Sequence, residues 1–142
     1  MKTPRDAASD VLFLCVANSA RSQLAEAWAR ALAPEDVGLH SAGSHPGTLN
    51  PVAVRVMLEV GIDLSGHHAK SVDEVPLERV GTVITLCSEE VCPTLPGNVE
   101  HLHWPFEDPD TATGGDEASL EAFRTARDGI EKRVRELFAR PA

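Results

Sequence analysis

The sequence predicts an α/β domain, a parallel sheet flanked by helices on both faces. Three observations carry this. Apolar runs of strand length alternate with helical periodicities, in the order strand, helix, strand, helix, strand, loop, strand, helix. The first run, Val11-Leu12-Phe13-Leu14-Cys15-Val16, is apolar at every position, as a strand buried on both faces requires. And 142 residues, 42% hydrophobic and 25% charged, suffice for one sizeable core and would be cramped for two.

Residues 1–9 are polar and aperiodic and read as a flexible tail, which leaves 10–142 as the domain. After the first strand comes a polar turn, Asn18-Ser19-Ala20-Arg21-Ser22. A helix follows, with Leu24, Trp28, Ala31 and Leu32 on one stripe and Pro34 as its stop. Val37 to Ala42 reads as the second strand, closed by Gly43, and residues 44–50 as a loop holding Pro46 and Gly47. Asn50-Pro51 pairs an N-cap residue with proline at the first helical position. Val54, Met57 and Leu58 mark that helix's apolar face, and Gly61 its end. A short helix is expected near Val72 to Glu78. Thr82 to Leu86 and Val99 to Trp104 are the third and fourth strands, separated by a loop rich in Cys and Pro. Residues 105–118 read as a long loop. The last helix carries Leu120, Phe123, Arg127, Ile130, Val134 and Leu137 at spacings of three and four.

Composition excludes several functions. Lys and Arg number 13 against 22 Asp and Glu, a net charge of −9, which argues against nucleic acid or an anionic membrane as partner. The apolar run Val11 to Ala17 is too short to span a bilayer, so the cytoplasm is the expected compartment. There, three cysteines, an odd number, read as chemistry rather than disulfide staples. Tyrosine is absent and aromatics are 4%, which leaves little surface for stacking bases or aryl groups.

In a doubly wound sheet, ligands bind beyond the carboxyl ends of the strands. Cys15, Cys87 and the loop after Trp104 all fall at that edge. Cys15 stands six residues before Arg21, across a strand-to-helix turn. Such a turn aims backbone N–H groups and a helix dipole inward, a cradle for a tetrahedral oxyanion. Asn18, Ser19, Ala20, Arg21 and Ser22 are therefore the candidate anion-binding residues. The same field, with the Arg21 guanidinium, favours the thiolate of Cys15, and Ser22 is placed to donate to its sulfur. Asp108, in Trp104-Pro105-Phe106-Glu107-Asp108-Pro109, is the candidate acid for a departing oxygen. Cys87 and Cys92 stand on one loop, and bringing them together requires non-helical backbone. A rival reading takes Cys87, Cys92, His101 and His103 as a loosely spaced zinc set. His45, His67 and His68 read as solvated, and Asp73-Glu74 and Glu89-Glu90 as exposed faces.

The ordered set of motifs resembles the arsenate reductases of the low-molecular-weight protein tyrosine phosphatase fold, over roughly residues 10–139. The resemblance rests on Cys15-Val-Ala-Asn-Ser-Ala-Arg21-Ser22-Gln-Leu-Ala-Glu26, His40-Ser41-Ala42-Gly43, Val60-Gly61-Ile62-Asp63, Thr85-Leu86-Cys87 with Cys92-Pro93, and His103-Trp104-Pro105 leading to Asp108-Pro109. It implies a three-layer domain with a four-stranded parallel sheet in the order 2-1-3-4. It also implies arsenical detoxification by a thiol relay in which Cys15 attacks arsenate, Cys87 attacks Cys15, and Cys92 attacks Cys87, with thioredoxin recycling the enzyme. A possible potassium site at Asn18, Glu26, Ser41 and Asp63 is implied too, with no other bound cofactor. Two departures bear on this. Only four residues separate Cys87 from Cys92, fewer than in some thioredoxin-coupled members, so glutaredoxin, mycothiol or bacillithiol is an alternative reductant. The aromatics that phosphatase relatives place around the acid are missing, which favours a small inorganic oxyanion over phosphotyrosine. The alternatives are a phosphomonoesterase working through Cys15, and a non-enzymatic metal- or arsenite-binding protein.

Overall fold

The chain forms four strands: β1 (Asp10–Cys15), β2 (Leu39–Gly43), β3 (Val80–Thr85) and β4 (Glu100–His103), of which β3 is rich in β-branched residues. Between and after them lie α1 (Arg21–Leu32), α2 (Pro51–Leu58), two single-turn 3-10 helices at Val72–Glu74 and Leu77–Arg79, and α3 (Gly115–Ala139). The structure, a computed structural model, describes residues 10–87, 99–109 and 115–139. The expected tail at 1–9, Glu89-Glu90 and Cys92 lie outside them.

The strands form one parallel sheet in the order β2-β1-β3-β4, as the resemblance implies. β1 is central, and all six of its residues are buried. Its alternate side chains feed two cores. Val11 and Phe13 join a large cluster with Leu24 and Trp28 of α1, Val56 and Met57 of α2, and Phe123, Ile130 and Val134 of α3. Leu12 and Leu14 face a smaller cluster with Val75, Val80 and Val83, which the 3-10 turns cover.

Several expectations shift. Ala31, expected on the α1 stripe, is exposed, because it turns away from the sheet in the last helical turn. Leu58, expected on the α2 face, is 55% exposed; the helix buries Ala53, Val56 and Met57 instead. The N-cap reading holds, since Asn50 Oδ1 accepts from Val52 N at 2.8 Å. α3 starts at Gly115 rather than after residue 118, since Asp116 and Glu117 suit the positive end of a helix dipole. Arg127 is buried on the α3 apolar stripe, its charge met by the Val56 carbonyl at 2.9 Å and Glu59 at 2.8 Å. Among the described residues, no helix is long and apolar enough to cross a membrane.

The carboxyl ends of the strands leave the sheet in step. Leu86 N donates to Leu14 O at 2.9 Å, Trp104 N to Thr85 O at 2.8 Å, and Phe106 N to Leu86 O at 3.2 Å. These bonds continue the ladder past the strands and hold the segments after β1, β3 and β4 side by side. Trp104 also packs on Phe13, with ring centroids 6.1 Å apart.

Candidate active site

The turn from β1 into α1 is held from outside. His45 N donates to Val16 O, Gly47 N to Ala17 O, and Asn50 N to Ser19 O, each at 2.9 Å. In a planar trans peptide the carbonyl of one residue and the N–H of the next point in opposite directions. Turning these three carbonyls outward therefore turns the N–H groups of Ala17, Asn18 and Ala20 inward. Asn18 N confirms this directly, donating to Cys15 Sγ at 3.3 Å. Asn18 itself sits at φ +52°, the left-handed conformation that asparagine tolerates better than most residues. Gly43 permits the close approach, since a Cβ there would run into the Val16 carbonyl oxygen and lie 2.9 Å from Asn18 N.

Ala20, the N-cap of α1, makes no side-chain cap, and the first turn carries no acidic residue. The positive end of the helix dipole thus faces the turn without a competing anion. A cavity of about 170 Å³ lies there, lined by Cys15, Val16, Ala17, Ser19, Ala20, Arg21 and Asp108. Cys15 is a free thiol, 2% exposed, with Ser22 Oγ at 2.8 Å. The Arg21 guanidinium is buried, with Nη1 donating to Phe106 O at 2.9 Å and Leu86 O at 3.4 Å. Asp108 Oδ2 stands 3.9 Å from Arg21 Nη2, and its side chain is 35% exposed.

Cys87, two residues beyond β3, is buried and disulfide-bonded. Its neighbour Leu86 pairs with Leu14, so Cys87 emerges beside Cys15 from an adjacent strand. Cys92 lies outside the described residues. The zinc reading finds no support in the described part: His101 and His103 are exposed on β4, and His103 Nδ1 bonds Thr85 Oγ1 at 2.7 Å.

Two residues escaped the sequence reading. Gln23 is completely buried although it sits in the first turn of a helix. Its partner His67, expected in solvent, is half-buried with Nδ1 3.1 Å from Gln23 Oε1. Burial holds the His67 imidazole below its ordinary pKa. His45 and His68 are exposed as expected, and so are Asp73 and Glu74. Only the side-chain amide of Gln23, an NH2 group that donates and an oxygen that accepts, next to Ser22, was there to hint at a buried role.

The potassium set fits poorly. Burial raises the Glu26 carboxyl, but Ser41, Arg30 and Lys70 together outweigh it and hold the group below its ordinary pKa. Glu26 Oε1 accepts from Ser41 Oγ at 2.5 Å and lies 3.8 Å from Lys70 Nζ, while Oε2 accepts from Arg30 Nε at 2.7 Å. Asn18 Oδ1 already accepts from Lys70 N at 2.9 Å and Gln23 Nε2 at 3.1 Å. Asp63 is exposed and accepts from Ser65 N at 2.9 Å. With two fixed cations at Glu26 and one of the four residues turned to a surface turn, these residues do not suit a potassium ion.

A free thiol, a turn of inward N–H groups, a buried arginine and a carboxylate thus line one small cavity. Residues 10–141 match the family model described as low molecular weight phosphotyrosine protein phosphatase. The chain belongs to that family. It is 41% identical over 127 residues to an arsenate reductase of Halalkalibacterium halodurans, a match covering 88% of this chain and 91% of that one. It is also similar to a solved arsenate reductase in a phosphate-binding state, with a TM-score of 0.78 and 35% identity over 92% of this chain and 96% of that one. A thioredoxin-dependent arsenate reductase of Corynebacterium glutamicum is 30% identical with a TM-score of 0.70, over 92% of this chain and 60% of that one. In this family setting Gly43 takes on a clear meaning: it is the point where β2 touches the anion loop.

Proposed function

We propose that this chain reduces arsenate to arsenite through a relay of Cys15, Cys87 and Cys92. The carrying observation is the free Cys15 thiol in a cradle of inward amides, beside a second, disulfide-bonded cysteine from the neighbouring strand. The names of the relatives support arsenate as the oxyanion.

The steps balance as follows. The Cys15 thiolate attacks arsenic(V), and a hydroxide leaves with a proton from Asp108 as water. Arg21 and the inward amides hold the remaining oxygens. Cys87, as thiolate, attacks Cys15 Sγ; the electron pair of the sulfur–arsenic bond stays on arsenic, which leaves as arsenite. A Cys15–Cys87 disulfide results. Cys92 thiolate then attacks Cys87 Sγ, which frees the Cys15 thiolate and moves the disulfide to Cys87–Cys92. Two electrons return to that bond from a dithiol, or from two monothiol molecules in succession, which leave as a disulfide. Thioredoxin is the favoured donor, on the strength of the thioredoxin-dependent relative; glutaredoxin, mycothiol and bacillithiol are the alternatives.

Cys87→Ser tests the relay. Arsenate turnover with thioredoxin is expected to vanish, while one arsenate-dependent adduct per chain still forms on Cys15, read by mass spectrometry. Hydrolysis of p-nitrophenyl phosphate should survive, because a phosphatase needs only Cys15, Arg21 and Asp108. Wild-type arsenate turnover in Cys87→Ser would sink the relay.

A further inference from the structure

Gln23 makes four hydrogen bonds, and two of them fix its direction. Nε2 donates to the Asn18 carbonyl at 3.2 Å and the His68 carbonyl at 2.9 Å, and also to Asn18 Oδ1 at 3.1 Å. Carbonyl oxygens only accept, so the amide nitrogen must face them. Oε1 is then left to accept from His67 Nδ1.

Two consequences reach the nucleophile. Three carbonyls of the anion loop are pinned outward by backbone N–H groups of residues 45, 47 and 50. The fourth, that of Asn18, has Gln23 Nε2 instead, and this bond turns Ser19 N–H the opposite way. The second consequence concerns hydrogen-bond polarity. Asn18 Oδ1 receives both Gln23 Nε2 and Lys70 N, so Nδ2 faces Ser22 Oγ, 2.7 Å away. Ser22 Oγ accepts that bond and is left with its own hydrogen to give to Cys15 Sγ, 2.8 Å away.

We infer that Gln23 is a positioning residue of the cradle. It presents Ser19 N–H to the oxyanion and, together with Lys70 N–H, sets the polarity of the chain Asn18–Ser22–Cys15, so that Ser22 donates to the thiolate. This rests on the reading of the loop as an oxyanion site, but not on arsenic chemistry.

The test uses full-length protein carrying Cys87→Ser and Cys92→Ser, so that Cys15 is the only thiol, with Gln23→Met added. Methionine keeps the shape and removes the donor. Two quantities are read: the pH profile of Cys15 alkylation by iodoacetamide, and protection against it by inorganic phosphate. Losing one bond to a charged group corresponds to about one pH unit or about tenfold in affinity. The midpoint of alkylation is expected to rise by about one unit, and half-protection to need about ten times more phosphate. With Ser22→Ala also present, Gln23→Met should no longer move the midpoint but should still weaken phosphate protection. A Gln23→Met protein that matches its parent in either quantity overturns the inference, as does an equal midpoint shift without Ser22. Should Gln23→Met not fold, side-chain amide exchange decides the matter by NMR in the unsubstituted protein. Slow exchange of the Gln23 protons is expected, and exchange at the free-amide rate overturns it. Neither readout involves arsenate, so a failure of arsenate reduction leaves this result standing.

Discussion

The two halves of the site are built differently. The loop from β1 to α1 is fixed: its outward carbonyls have partners, and Asn18, Ser22 and Gln23 are fully buried, with Asn18 hydrogen-bonded to both of the others. The facing half consists of ends. Asp108 is one-third exposed on a loop beyond β4, 3.9 Å from Arg21, and Cys87 stands two residues past the end of β3. The difference separates two tasks. In the proposed reaction, holding an oxyanion rewards groups that cost no reorganisation, whereas a proton donor on a partly exposed loop can approach.

Asp108→Asn gives the largest effect that would sharpen this contrast. Asparagine keeps the shape but cannot deliver the proton, so kcat for arsenate should fall about 100-fold or more. Phosphate protection of Cys15 from alkylation should stay as strong as in the wild type. Equal losses in both would mean that the two halves are not separate.

Gly43→Ala should produce the opposite pattern. Its methyl group meets backbone atoms of the loop, which cannot swing aside as a side-chain tip can. A destabilisation of about 1–3 kcal/mol in urea unfolding is expected, with weaker phosphate protection, as overpacking predicts. A protein as stable as wild type with unchanged protection would show the loop to be softer than its contacts suggest.

Glu26→Gln should have the smallest effect, with a loss of about 1–2 kcal/mol at neutral pH. It also carries a pH signature. The folded-state pKa of Glu26 lies below the ordinary carboxylate value, so its contribution is complete above that value. The contribution disappears as the pH falls through the lowered pKa. Wild-type stability should therefore decline through that acid window, and the decline should be shallower in Glu26→Gln. Parallel acid limbs would show that the contacts of Glu26 with Ser41, Arg30 and Lys70 do not stabilise the fold.

The sequence showed the strands, the helix before Pro34, the Asn50 cap and the Cys15-to-Arg21 spacing, because each depends on near neighbours. It placed Leu58 on the wrong face, because every residue of α2 except Arg55 is apolar, so no buried stripe stands out from the pattern. Gln23 and His67 were missed because polar residues read as solvated until distant chain packs against them. Here the cover comes from residues 67–70, more than forty positions downstream. The inward amides were expected; their outside supports, at residues 45, 47 and 50, carry no signature beyond a proline- and glycine-containing loop.

Those supports bear on whether the motif can be transplanted. Residues 15–22 hold the sulfur, the arginine and the inward amides, and on paper they make a portable cassette of eight residues. Yet three of its carbonyls are satisfied by a loop beyond β2, and a fourth by a side chain of the helix that follows. Grafted onto another strand-turn-helix, the same letters would carry four unpaired carbonyls and relax into some other turn. The heritable unit of this chemistry is therefore the turn together with its brace, roughly from β1 to residue 70, and a designer who copies only the motif copies its spelling without its shape.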